Sequence, residues 1–355
     1  MSERVAVIGA GPAGSYAAMR LVQEGYDVDL YEDHQVVGRP VQCTGLLTGP
    51  IAKYVKPDDS FLVNIAKKAR IYSPNGSFID VKLNNGNYIF DRHKFDEHIA
   101  NMAVDAGANL HLGHRFERKG SKGIIANGKE FTADYVVGAD GPKSKVAKEY
   151  GMDQCKNFVV APQARVETKC EPETIEFWVG IGEFAWLVPE NENVARIGVC
   201  ATSDADKQFK RLISMRCPDA KKIEYQGGII PIYDKNAKIQ NGNAMIIGDA
   251  AGQVKATTYG GIIFGIMAAD ILANDILNYS KNFKKEVSRD LWLSLKMRQA
   301  LNKFSENDYN ELIGMFSEGK LKKILEETDR DFPTTFVTKM LLAKPSLLKF
   351  GLKAI

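Results

Sequence analysis

Cysteine is too sparse and too scattered to support two whole classes of protein. The chain of 355 residues has five, Cys43, Cys155, Cys170, Cys200 and Cys217. They are widely spaced and odd in number, which argues against a disulfide framework, and no C-x-x-C pair offers a metal site. Histidine is equally scarce, and His93 and His98 have no third ligand at usable spacing, so both are expected to cap or pack rather than bind metal. Excess charge of one sign is also missing. Lys plus Arg number 47 against 44 acidic residues, a net of +3, which leaves no electrostatic case for nucleic acid. Long apolar runs are absent too: the longest, Gly260 to Ala273, contains Asp270 and is too short to span a bilayer. The chain runs into a strand directly behind Glu3 and Arg4, leaving no room for a signal peptide. A cytoplasmic location is expected, with contact at a membrane surface left open.

What is present is organised around the first thirty-two residues. Val5 to Ile8 reads as a buried parallel strand. It breaks at Gly9, Gly11 and Gly14, and a helical pattern then runs from Tyr16 until Gly25 stops it. A second strand, Val28 to Tyr31, ends at Glu32, 18 residues after Gly14. The three glycines provide a tight turn, bare backbone for a pyrophosphate, and close helix–strand packing. The helix N-terminus presents free N–H groups to the phosphates. Glu32 suits a ribose diol. The whole pattern predicts a dinucleotide site without saying which dinucleotide.

The segment DHQVVGRPVQCTGLLTG follows, irregular and rich in glycine, and such a loop inside a domain is usually functional. Arg39 is placed to meet cofactor phosphate. Cys43 either approaches the reactive end of a cofactor or is buried as a small hydrophobe. Residues 69–90 alternate and carry two turn signals, Pro74-Asn75-Gly76 and Asn84-Asn85-Gly86, predicting an antiparallel hairpin set. A helix over 95–106 puts Phe95, Ile99, Met102, Ala103 and Ala106 on one face, with Arg92 before it able to reach a phosphate. Strands are predicted at 109–116, 123–126, 129–132 and 135–137, the last turning sharply at Gly138-Ala139-Asp140-Gly141. Residues 157–233 read as mostly strand, with a helix near 204–216; within them Trp178, Phe184 and Trp186 are candidates to line an apolar cavity.

The stretch from 242 repeats the opening logic. A strand, Ala244 to Ile247, runs into Gly248-Asp249, and Gly260-Gly261 opens a nearly all-apolar, hence buried, helix whose free amides offer a second anion site. After 280 the pattern is purely helical. The tail from 338 to 355 has four lysines, no acid, and Leu, Phe and Ile between them, compatible with a membrane-surface contact or with packing on its own protein.

Three separated signatures now stand in order: GAGPAG with Glu32, GADG at 138–141, and GDAAG at 248–252 with its glycine-opened helix. Over residues 1–280 they resemble FAD-dependent oxidoreductases of the aromatic-hydroxylase fold. That resemblance implies an α/β architecture in which a Rossmann-like FAD domain (1–68, 91–155 and 235–280) is interleaved with an antiparallel-sheet substrate domain (69–90 and 156–234). A C-terminal helical region (281–355) follows. It places Gly9, Ala10, Gly11, Ala13 and Gly14 around the FAD pyrophosphate, Glu32 on the adenosine ribose and Asp249 near the pyrophosphate and ribitol. Arg92, Asp140, Gly260, Gly261 and Ile262 lie beside the cofactor.

Within that group, GRPVQCTG resembles the geranylgeranyl reductase family and puts Cys43 and Gly45 near the isoalloxazine. EFAWLVP followed by Gly198 is similar to that family's Tyr-x-Trp-x-Phe-Pro signature. Phe184 replaces the Tyr, Val188 replaces the Phe, Ile181 stands where Pro often does, and Tyr259 stands where a glycine is common. The family implies an FAD-dependent reductase hydrogenating isolated double bonds of geranylgeranyl chains, on archaeal-type ether phospholipids, with Cys43 as the candidate proton donor or positioner. Such a substrate would give the lysine-bearing tail its purpose. The electron donor stays open among ferredoxin, a deazaflavin and a nicotinamide nucleotide. The alternatives are an aromatic hydroxylase, a quinone prenyl-chain reductase, or a non-catalytic electron-transfer flavoprotein.

Overall fold

The computed structural model describes residues 2–354; Met1 and Ile355 lie outside the described residues. The opening strand, Arg4–Ile8, is central in a six-stranded sheet, flanked in parallel by Asp27–Glu32 and Tyr135–Gly138. Asn109–Leu112 adds in parallel beyond Asp27–Glu32, and Ala244–Ile246 beyond Tyr135–Gly138. Val5, Val7, Leu30 and Val137 are all buried because both faces of this sheet are covered. The helix Pro12–Gln23 packs on one face against Arg92–Ala106 and Ile262–Asn274. A small three-stranded sheet, 116–119, 123–126 and 129–132, contributes Phe116, Ile124 and Ala126 to the same core.

An eight-stranded sheet forms the second layer, in the order 221–231, 158–167, 194–200, 184–189, 174–178, 62–72, 78–90, 46–48. Its pairings are antiparallel except Thr174–Trp178 on Leu62–Tyr72, which is parallel. The sheet takes in Leu46–Thr48 and starts its long hairpin at Leu62, earlier than the expected segment from residue 69. Pro74-Asn75-Gly76 lies at the hairpin turn, whereas Asn84-Asn85-Gly86 makes a bulge: Lys82 pairs with Lys68 and Asn87 with Ala66, leaving residues 83–86 out of the ladder. The bulge lies inside the strand Phe78–Phe90, opposite a register shift in the partner at Ala66/Lys68, with Gly86 at φ 72° absorbing the irregularity. The turn signal yields a bulge rather than a second hairpin because pairing resumes on both sides of it.

Both faces of this sheet are covered, which explains apolar residues at both parities. Phe184, Trp186 and Val188 face a cavity-side cluster that includes Ile89 and Tyr259. Ala185 and Leu187 face the opposite core, closed by Phe209 and Leu212 of the helix Ala205–Arg216. The C-terminal helices close the molecule. In the tail Met340 and Phe350 are buried, Lys349 pairs with Glu311, and Lys353 with Asp308 at 2.5 Å. Among the described residues no helix is long and apolar enough to cross a membrane.

Candidate active site

Where the strands of the first sheet end, glycine geometry builds a cradle. Gly9 has φ 102°, and a Cβ there would sit 2.4 Å from the Ala139 carbonyl oxygen. A Cβ on Gly14 would sit 1.9 Å from the Gly9 oxygen. Gly11 differs: it faces open space, with no atom within 4 Å of the Cβ position. The first two glycines are therefore demanded by the fold, whereas Gly11 leaves bare backbone for a ligand to approach. Ala10 donates its N–H to the Glu32 carboxylate at 2.8 Å, which fixes that side chain at the strand tip. Ala13 sits under the third motif, 3.1 and 3.0 Å from where a Cβ on Gly248 or Gly265 would be. The Gly-Asp motif and the apolar helix can thus press onto the first helix.

A continuous cavity of about 950 Å³ runs from this cradle to the second sheet, at the upper end of ordinary ligand sites. The cradle, Glu32, Arg39, Cys43, Arg92, Asp249 and the helix start at Gly260-Gly261-Ile262 all line it. Arg39 is exposed at the rim. Asp249 lies against the helix start, where a Cβ on Gly261 would come within 2.9 Å of its Oδ1. Burial pushes the Asp249 carboxyl up to about 6, against the pull of the Arg92 guanidinium. Arg92 is itself tied by two 2.9 Å hydrogen bonds to Asp96, one turn along its helix. Burial works against the Arg92 charge, yet Asp96 and the adjacent Cys43 hold its pKa above the usual arginine value. The i,i+4 spacing of Arg92 and Asp96 is a sequence signal that could have predicted this pair.

Cys43 is held in the cavity wall by groups far from it in sequence. Arg196 donates Nη1 hydrogen bonds to the Thr44 and Phe90 carbonyls at 2.5 and 2.7 Å, while its Nε donates to Glu190 at 2.8 Å. The Thr44 hydroxyl donates to Gln163, which also accepts from the Trp186 indole at 3.1 Å. The cysteine loop and the aromatic wall thus share one buried polar network, which cannot be read from either segment alone.

Asp140 lines the cavity with its carboxylate committed to the chain, and two other expected site residues, Gly45 and Trp178, lie outside the lining. The Asp140 carboxylate accepts from Ser144 Oγ and from the Lys145 and Val146 amides at 2.6, 2.7 and 3.0 Å, so it organises the turn into the short helix Lys145–Glu149. Gly45 does not line the cavity; it is buried at φ 73°, where a Cβ would meet the Phe90 oxygen at 2.3 Å. Trp178 points to the opposite core and stacks on Tyr72 at 5.2 Å and 4°. Its neighbour Phe177 lines the cavity instead, because successive strand residues face opposite sides. Phe184 and Trp186 line it as expected. Gly198 makes room for the indole: a Cβ there would lie 2.4 Å from a Trp186 ring carbon. The C-terminal region supplies Met297, Arg298, Leu301 and Phe336 from its helices and Arg330 from a turn between two of them to the wall, and no local sequence signal marks them.

Open backbone at Gly11, an acidic strand tip and a half-buried aspartate at a second helix start fit the pyrophosphate and sugars of FAD, with the apolar cavity beyond. A sequence model of the pyridine nucleotide-disulphide oxidoreductase family matches residues 3–175; all five cysteines here are free. The chain is 30% identical to digeranylgeranylglycerophospholipid reductase 1 of Methanosphaera stadtmanae, covering 95% of each chain. It is 29% identical to the digeranylgeranylglycerophospholipid reductase of Methanosarcina acetivorans, covering 90% of each. Among solved structures, a geranylgeranyl bacteriochlorophyll reductase-like protein of Thermoplasma acidophilum superposes over all of both chains with a TM-score of 0.87 at 23% identity. The FAD complex of a variant of the halogenase PltM shares the fold at a TM-score of 0.65 and 13% identity, over 98% of this chain and 85% of its own. With cradle, cavity and nearly full-length similarity in agreement, the chain belongs to the digeranylgeranylglycerophospholipid reductase family and is an FAD-dependent oxidoreductase of the geranylgeranyl reductase type.

Proposed function

We propose that this protein saturates isolated double bonds of geranylgeranyl chains carried on archaeal-type ether phospholipids. The observation that carries this reading is the continuity of the cavity: one space joins the glycine cradle to the apolar wall of Phe177, Phe184 and Trp186. Each buried methylene contributes about 0.8 kcal/mol, so a long prenyl chain needs no strong polar anchor there. Gly11, Glu32 and Asp249 hold the cofactor in a cradle that Gly9 and Gly14 shape, and Arg92 braces its neighbours. When bound and reduced, FAD supplies the hydride that one alkene carbon receives. The other carbon needs a proton, and protonation of an unactivated alkene demands a dry site. Cys43 borders the cavity beside Arg92 and is the group assigned to hold or aim that proton.

The test is anaerobic incubation of dithionite-reduced protein with a digeranylgeranylglycerol phospholipid, followed by mass spectrometry. Gains of two mass units per reduced bond are expected; unchanged lipid under these conditions would refute the reading.

The tail supports contact with an anionic bilayer. Leu342, Leu348 and Leu352 are 79%, 55% and 66% exposed beside the exposed lysines 339 and 344, while Met340 and Phe350 anchor the segment. Because those anchors are structural, the informative variant changes only the exposed leucines. Leu348→Glu with Leu352→Glu is expected to reduce sedimentation with anionic vesicles while melting at the wild-type temperature. Unchanged sedimentation would mean that the tail only packs.

A further inference from the structure

Tyr259 is a bulky residue in the left-handed region, at φ 53°, where a side chain of this size is an outlier and strain points to a task. The strain persists because the loop is over-determined. Lys255 and Gly260 pair across it, with Lys255 N–H donating to Gly260 at 3.1 Å. Ala256 N–H donates to Ser294 Oγ at 3.0 Å, and Arg298 donates to the Ala256 and Thr257 carbonyls. Both partners lie on the helix Ser288–Leu301.

The ring is gripped on three sides. Its hydroxyl donates to the Glu183 carboxylate, and its face stacks on Phe184 at 6.2 Å and 9°. The Arg298 guanidinium stands 5.7 Å from its centre and 5.4 Å from that of Phe184. Arg298 also donates to the Glu183 backbone carbonyl at 3.0 Å, and its Nε lies 3.7 Å from the Glu183 carboxylate, so the cation and the carboxylate that hold the ring are themselves paired. Tyr259 immediately precedes Gly260-Gly261 at the cofactor end of the cavity, and its stacking partner belongs to the apolar wall. It therefore stands at the junction of the two parts of the cavity, as a fixed wall rather than a mobile side chain.

We propose that Tyr259 is a specificity-determining residue whose clamped ring sets which double bonds of a prenyl chain reach the reactive end of the cofactor. This rests on the reductase reading above. A glycine at this position fits the positive φ without strain, so Tyr259→Gly removes the wall and keeps the backbone. Tyr259→Phe keeps the ring and removes only the bond to Glu183.

The experiment compares partially reduced products by mass spectrometry for wild type and both variants, each at full flavin content. Tyr259→Gly is expected to change the ratio of partly to completely reduced chains by about tenfold, and Tyr259→Phe to keep the wild-type ratio. An unchanged ratio in the glycine variant overturns the proposal, as does a phenylalanine variant that moves as far as the glycine one. A wild-type protein that reduces no prenyl chain refutes the reductase reading instead. The gate is then decided by titrating geranylgeranyl phosphate against the visible flavin spectrum. Affinity altered in Tyr259→Gly but not in Tyr259→Phe supports it, and equal affinity in all three overturns it.

Discussion

A Gly11→Val protein is expected to fold, melt close to wild type, and emerge from purification without visible flavin absorbance. Gly11 has φ −69° and ψ 175°, extended geometry that valine adopts readily. Nothing lies within 4 Å of its Cβ position, so the new side chain strains nothing in the protein itself. It is the N-terminal boundary residue of the helix Pro12–Gln23 and makes no side-chain cap there, so the stability change should stay within about 1 kcal/mol. The isopropyl group would instead project into the open backbone cradle and exclude the pyrophosphate.

Gly14→Ala supplies the contrast. Its Cβ would overlap the Gly9 oxygen at 1.9 Å, so it should destabilise the protein by about 3 kcal/mol before any ligand is considered. Full flavin occupancy in Gly11→Val would remove the pyrophosphate from this cradle.

Cys43→Ser should retain FAD yet lose turnover by about 100-fold, the scale of a positioned proton-transfer group. The loop does not depend on the sulfur for its shape. Arg196 grips the Thr44 and Phe90 carbonyls, and Thr44 is bonded to Gln163. The sulfur accepts the Gly45 N–H at 3.4 Å and stands beside the Arg92 guanidinium, and a serine oxygen can make both contacts. Rate and binding then separate two roles. A thiol that holds the proton changes kcat and shifts the pH profile, whereas one that only positions the chain mainly raises KM. Undiminished turnover in the serine variant would remove Cys43 from the chemistry.

The residues whose placement was legible in the sequence carry their information locally. Gly9, Gly11, Gly14 and Glu32 lie within one strand–helix–strand unit, and their spacing alone states the geometry that the sheet then adopts. The Gly248-Asp249 turn and the helix behind Gly260-Gly261 are similarly self-contained. Trp178 was not legible. In a sheet covered on both faces, alternation is apolar at both parities, and which parity faces the cavity depends on the helix 205–216 lying across the other side. Asn84-Asn85-Gly86 misled for a related reason: its turn is spent on a bulge of residues 83–86, because pairing on both sides keeps the strand in the sheet. Asp140 lines the cavity as its motif suggests, while its carboxylate is taken by the next turn of chain.

By itself the sequence determined the geometry of the glycine cradle and the aromatic strand 184–189, because each depends on contacts within a few dozen residues. Only the tertiary structure decided what surrounds the reaction space. Arg196 reaches 152 residues back to hold the Cys43 loop, and Arg298 reaches 115 back to Glu183 beneath the Tyr259 ring. Such partners are chosen by which surfaces meet when the sheets and the C-terminal helices pack, and no local spacing encodes that.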